Sequence, residues 1–361
     1  MNKPKIRFKG FEGEWKDSML SDFSYSICSG RDTAHKGIYP LYGSTGIIGT
    51  TNKPSYNGAM LLVARVGANA GKLQIINEEC GVSDNTLIIK PNGNISVSWL
   101  YYYLVHCNLN HLVYGSGQPL ITGYMLKRIP ILLGSKKECD EIASYFTSLD
   151  AQIAASTFRL SSLKQIKAAS LLNMFPQKGE MVPRVRFKGF EGEWKERKLG
   201  EVCLVNRGVR ITRKDLSNAE GYPVFQNTNY PLGFYQYYNV EAKNPFVIIG
   251  GSAGLIGFSN KEFWAADDCV YFKDKEETDK SFLYNILCSH EAEIKKEVRG
   301  SSVPRLDRSI LEKLRINLPS LPEQRAIASY FTALDAQITL HRERLEKLKQ
   351  IKAACLERMF A

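Results

Sequence analysis

The chain has 361 residues, 44% of them hydrophobic, and a net charge of +11, a size that allows two to four domains each with its own core. The basic excess is spread evenly, with 19 basic against 13 acidic side chains in residues 1–180 and 29 against 24 in residues 181–361; this excludes a basic tail and favours a polyanionic partner. Eight scattered cysteines without a C-x-x-C read as reduced core residues, and the absence of a signal peptide or long apolar run predicts a cytoplasmic chain with no role at a membrane.

The first element met along the chain is the decamer Arg7–Lys16 (RFKGFEGEWK), which recurs letter for letter at Arg186–Lys195. The correspondence then continues at an offset that drifts from 179 to 185 residues. Tyr39-Pro40-Leu41-Tyr42 answers Tyr222-Pro223-Val224-Phe225, Gly67–Gly71 answers Gly250–Gly254, and Leu163–Ala169 answers Leu348–Ala354. Near-identical ends enclose diverged middles. The middles keep an apolar skeleton while their polar residues change, which predicts two equivalent attachments and two different recognition tasks.

The first middle, Asp17 to Gly134, carries short β-branched and aromatic runs (Met60–Val66, Thr86–Lys90) between Gly, Asn and Pro turns, with one helix near Ser98–Asn110. The second, Glu196 to Pro319, repeats this with Phe246–Ile249, Cys269–Phe272 and a helix over Lys280–Ile294. Each reads as a compact α+β domain rich in strands. After each middle, Ser135-Lys136-Lys137-Glu138 and Ser320-Leu321-Pro322-Glu323 predict capping boxes.

The boxes open two long amphipathic stretches. Apolar residues recur at Ile142, Phe146, Leu149, Ile153, Leu160 and Leu163 in one, and at Ile327, Phe331, Leu334, Ile338, Leu345 and Leu348 in the other. The alternating four-three spacing is a heptad seam, interrupted by Ser156 against His341 and by Lys167 against Lys352. Helices of about 38 residues span about 55 Å, and antiparallel packing predicts a spacer between two recognition domains. The expected division is 1–134, 135–180, 181–319 and 320–361.

No catalytic signature survives inspection. Gly67-Ala68-Asn69-Ala70-Gly71-Lys72 is one residue short of a P-loop and lacks the Ser or Thr for magnesium. Asn244-Pro245-Phe246 is similar to an amino-methyltransferase loop but lacks a proline and a preceding Gly-rich cofactor loop. The five histidines have no zinc spacing. Donor-rich turns recur instead. In the first copy the candidate DNA-contacting residues are Tyr42, Ser44, Thr45, Arg65, Asn69, Lys72, Asn85, Ser116 and Gln118; in the second, Gln226, Asn227, Thr228, Asn229, Ser252, Arg299, Ser301, Ser302 and Arg305. Asn, Gln, Ser and Arg read base edges, and backbone amides in such turns hold phosphates.

With these features the sequence resembles the specificity subunits of type I restriction-modification systems over essentially its whole length. The marks are Leu318-Pro319-Ser320-Leu321-Pro322-Glu323-Gln324-Arg325-Ala326-Ile327-Ala328, the Leu-Asp-Ala-Gln-Ile segments at 149–153 and 334–338, and the Gly-Ser-Thr-Gly-Ile-Ile-Gly loop at 43–49. The resemblance implies two target-recognition domains that each read half of a bipartite double-stranded DNA sequence, and an antiparallel coiled coil that sets the gap. It also implies a subunit that is not an enzyme and carries no cofactor. Two modification subunits would dock on it, binding S-adenosylmethionine to methylate adenine, and restriction subunits using ATP and magnesium would join the assembly. Ile129–Cys139 departs from the family's Pro-x-x-Glu-Gln-x-x-Ile form, so docking at that end is expected to differ in detail. A DNA-modifying enzyme and a plain coiled-coil scaffold are the competing readings.

Overall fold

The computed structural model describes residues 3–113, 119–217, 220–275 and 277–360. It divides into two compact units, residues 1–157 with 343–361, and residues 158–342. The division cuts across the linear domains read from the sequence, because each unit takes its helical part from both long helices.

The first unit holds a four-stranded antiparallel sheet in the order Ser24–Ser29, Thr86–Pro91, Ala59–Ala64, Leu73–Asn77. A smaller sheet pairs Tyr39–Gly43 antiparallel with Gly46–Thr51 and parallel with Gly81–Val82. The second unit repeats both. Cys203–Arg207, Cys269–Asp274, Asn244–Ile248 and Ile256–Ser259 form the larger sheet, and Tyr222–Phe225 lies between Gly233–Tyr235 and Trp264–Ala265 in the smaller one. Thr86–Lys90 and Cys269–Phe272 lie wholly within strands, whereas the runs Met60–Val66 and Phe246–Ile249 overrun strands that end at Ala64 and Ile248. Asn244-Pro245-Phe246 is likewise buried strand.

Two helix expectations need correction. The first-domain helix is Val97–Cys107, stopped where Asn108 turns left-handed at φ 50°. Lys280–Ile294 is two helices, Lys280–Ser289 and Glu291–Lys296, broken at His290, whose backbone (φ −97°, ψ 6°) leaves the α region while its ring lies 2.9 Å from the carbonyl oxygen of Ile286.

The long helices run Lys136–Asn173 and Leu321–Met359. Within the first unit, Tyr145 meets Cys355 and Asp150 meets Lys352; within the second, Lys167 meets Asp335 and Ser170 meets Tyr330. Advancing along one helix means retreating along the other, so the pairing in each unit is antiparallel. Of the seam residues, Ile142, Phe146, Leu149, Leu160, Leu163, Ile327, Phe331, Leu334 and Leu345 are buried, while Ile153, Ile338 and Leu348 are half-buried. The seam lysines are not left unpaired. Lys167 Nζ lies 2.6 and 2.8 Å from the Asp335 oxygens, and Lys352 Nζ lies 2.5 Å from Asp150.

The repeated decamers have a structural task. Arg7 donates to both Glu138 oxygens and to the carbonyls of Glu12 and Gly13, while Trp15 Nε1 donates to Glu138 at 3.2 Å. Arg186 repeats the grip on Glu323 and on the carbonyls of Glu191 and Gly192. This corrects the capping boxes. The Ser135 hydroxyl does accept from the Glu138 amide, but the Glu138 and Glu323 carboxylates are taken by the decamer arginines.

The sequence departure at the first helix start also has a physical counterpart. Gln324 accepts from the Asp279 amide and donates to the Pro319 carbonyl, tying its helix to the neighbouring loop. The equivalent position in the first copy is Cys139, buried among apolar side chains.

Candidate nucleic-acid interface

In each unit a segment leaves the first strand of the larger sheet and lies along the smaller sheet. Each starts at a glycine because nothing larger fits. A Cβ on Gly30 would sit 2.1 Å from the Val82 oxygen, and one on Gly208 would sit 2.2 Å from the Ala266 oxygen. The first segment carries Arg31, His35 and Lys36, and its Asp32 is held by Ser55 and the Val82 amide.

Around this first segment the candidate residues separate into three groups. Ser44 and Thr45 form the tip of the Tyr39–Thr51 hairpin, and with Lys72 and Thr86 they line a cleft of about 50 Å³. The Thr86 hydroxyl is buried there without a partner among the described residues. Arg65 and Asn85 are joined through backbone, with the Arg65 guanidinium 3.4 Å from the Asp84 carbonyl and its Nε buried without a partner among the described residues. Asn69 shares a separate cleft with Lys72, Asn108 and Asn110. Tyr42 is a correction: it is 4% exposed, its hydroxyl donates to Glu78 at 2.5 Å, and burial followed by this bond pushes its pKa up to about 12. A ring enclosed in that way cannot reach a base. Ser116 and Gln118 lie outside the described residues.

The second unit gathers its candidates more tightly. The Ser252 amide donates to the Asn227 carbonyl, and the Gly251 amide donates to Pro304. Arg299 and Arg305 exchange backbone hydrogen bonds at 2.9 and 2.8 Å, closing the loop that presents exposed Ser301 and Ser302. Arg305 Nη1 lies 3.2 Å from Asp268, and Arg299 bonds Lys296 and Glu297, so both guanidinia are partly committed inside the protein. Gln226 is half-buried, Thr228 bonds Tyr230, and Asn229 Nδ2 donates to Ile256 at 3.4 Å.

The residue reading missed one group. Arg207-Gly208-Val209-Arg210-Ile211-Thr212-Arg213-Lys214 places four cations in eight residues, all four exposed. Arg207 Nε donates to the Asp267 carbonyl, beside the Asp268–Arg305 pair. Exposed Tyr230, Tyr237 and Tyr238 stand on the adjoining sheet and its connections. The signal was legible as a basic run followed by Tyr230–Tyr238, a stretch with four tyrosines.

Among the described residues no cluster of His, Cys, Asp or Glu is arranged to hold a metal, and no helix is long and apolar enough to cross a membrane. Two copies of one strand-rich scaffold, differing in the polar loops beside the small sheet and joined to long seam helices, define a class of duplicated recognition proteins. The chain belongs to the family Type I restriction modification DNA specificity domain, which it matches over residues 12–165 and 191–350. It is 26% identical over 177 residues to the Escherichia coli Type I restriction enzyme EcoprrI specificity subunit, a stretch covering 47% of this chain and 44% of that protein. The chain thus spans less than half the length of that relative. A putative type I restriction enzyme specificity subunit of Haemophilus influenzae is 22% identical over 89% of this chain and 87% of its own length. The crystal structure of the type I restriction-modification S subunit from M. genitalium shares the fold, with a TM-score of 0.79 at 16% identity over 99% of each chain.

Proposed function

We propose that the chain is the DNA-reading, non-catalytic subunit of a type I restriction-modification assembly. Each strand-rich domain reads one half of a bipartite duplex sequence, and the paired long helices set the gap. One observation carries this reading: the two copies preserve the scaffold and the decamer–glutamate grip while most polar residues of their matched loops differ. The equivalent helices and decamers offer near-equivalent docking surfaces to two modification subunits, which bind S-adenosylmethionine; ATP and magnesium belong to restriction subunits. A structural neighbour from work on complex assembly of the type I R-M system, with a TM-score of 0.53, lends fold-level support.

The test is sequencing of methylated adenine in DNA from cells expressing the chain with its cognate modification subunit. One two-part motif with a fixed gap is expected. Replacing residues 17–134 by another recognition domain should change one half only, and removing a heptad from both helices, about 10 Å of rise, should alter the gap or abolish activity while leaving the half-sites intact. Absence of methylation with a bound, expressed partner overturns the reading, as does a heptad deletion that changes the half-sites.

A further inference from the structure

The strap Arg207–Lys214 and its continuation to Ser217 are fastened to both outer strands of the second unit's small sheet. The Val209 amide donates to Ala265 and the Trp264 indole donates to the Val209 carbonyl. At the other end Ser217 and Phe234 exchange two backbone hydrogen bonds. The cations are thereby held on a rigid support and not on a free loop. Arg210, Arg213 and Lys214 make no ion pair among the described residues, and the strap's one carboxylate, Asp215, accepts from the Thr212 amide and hydroxyl.

The same sheet exposes aromatic surface. Tyr230 is 75% exposed, Tyr237 58% and Tyr238 48%. Tyr237 and Tyr238 are braced by rings beneath, Tyr235 at 5.6 Å and Tyr222 at 4.9 Å, and Tyr235 in turn meets Trp264 at 5.0 Å. Exposed tyrosines, two of them braced, beside unneutralised cations match a polyanion whose base edges offer hydrogen-bonding groups and thymine methyls. The corresponding surface of the first unit is built differently, with exposed Ile38, Ile47 and Ile48 beside Arg31 and Lys36.

We propose that Arg210, Arg213 and Lys214, with Tyr230, Tyr237 and Tyr238, form the face through which the second domain engages duplex DNA: the cations take phosphates, and the tyrosines meet base edges of that half-site. This rests on the specificity-subunit reading and adds the contact face to it. The Arg299–Arg305 loop, whose guanidinia are partly committed, meets the start of the strap at Asp267 and Asp268.

The experiment uses the full chain assembled with its cognate modification subunits and a duplex carrying the methylated motif, with affinity followed through a salt titration. Substituting Arg210→Ala, Arg213→Ala and Lys214→Ala together should reduce the slope of log affinity against log salt by about 2 to 3, since each phosphate contact contributes about 0.9. The loss should be similar on motif and non-motif DNA, and Arg210→Lys with Arg213→Lys should keep the slope. Tyr230→Ala with Tyr237→Ala should weaken binding to the motif about tenfold and loosen only the second half-site in the methylation pattern. An unchanged slope in a triple variant whose complex still assembles overturns the assignment and leaves the specificity-subunit reading standing. A wild-type complex that binds no duplex overturns both.

Discussion

Arg186 and Glu323 are 137 residues apart in sequence, yet the guanidinium holds both carboxylate oxygens at 2.7 and 2.8 Å, with the Glu323 side chain 2% exposed. The bond raises the arginine's pKa and fixes the decamer against the first turn of the second long helix. Removing the arginine leaves a buried carboxylate without its cation. Arg186→Ala should therefore cost about 3 kcal/mol, read as a lower denaturation midpoint. Replacing both residues by Met should cost less, because no charge is then stranded. A single variant as stable as wild type would show that the grip contributes nothing.

Phe360 makes a comparable prediction for the first unit. Its ring lies 5.7 Å from Tyr103, 5.8 Å from Phe146 and 6.1 Å from Trp99, as Phe175 lies among Trp194, Phe282 and Phe331 in the second. Phe360→Ala should destabilise by about 3 to 5 kcal/mol through the cavity it leaves. Amide exchange should accelerate in Val97–Cys107 while the second unit's helix Lys280–Ser289 stays protected.

The seam pair Lys352–Asp150 should behave as a coupled unit. Tyr102 also donates to Asp150, at 2.9 Å, and Lys352 lies 5.6 Å from the centre of the Tyr102 ring. A double-mutant cycle of Lys352→Met and Asp150→Asn should return a coupling of about 1 kcal/mol. Independent, additive losses would mean that the ion pair adds nothing beyond its separate side chains.

The thiols should differ in reactivity by environment. Burial pushes Cys80 and Cys107 up to about 11 and Cys139, Cys203 and Cys288 up to about 12, whereas Cys28 is exposed. A thiol with a pKa near 11 is about one part in a thousand thiolate at pH 8. Alkylation of native protein at pH 8, followed by peptide mass spectrometry, should label Cys28 first. Raising the pH or adding denaturant should recruit the others, and early labelling of Cys139 would contradict the packing.

Much of this was written in the linear chain. The duplication, the seam from Ile142 to Leu348, the strand-rich middles and the donor-rich turns follow from repeats and periodicities, because apolar spacing is a local property that packing then obeys. Tertiary structure decided what lies between distant residues. The decamers look like surface sequence until Arg7 and Arg186 are seen closing on buried glutamates, which takes away the glutamate half of the expected capping boxes while the Ser135 half stands. Tyr42 looked available until its hydroxyl was found enclosed against Glu78. The second unit's cations gain meaning only when the strap is seen fastened across its sheet. Sequence determined which segments are helix, strand and turn, since those preferences act over a few residues. The partners of Arg7, Arg186 and Lys352 lie more than a hundred residues away, and only folding brings those segments together.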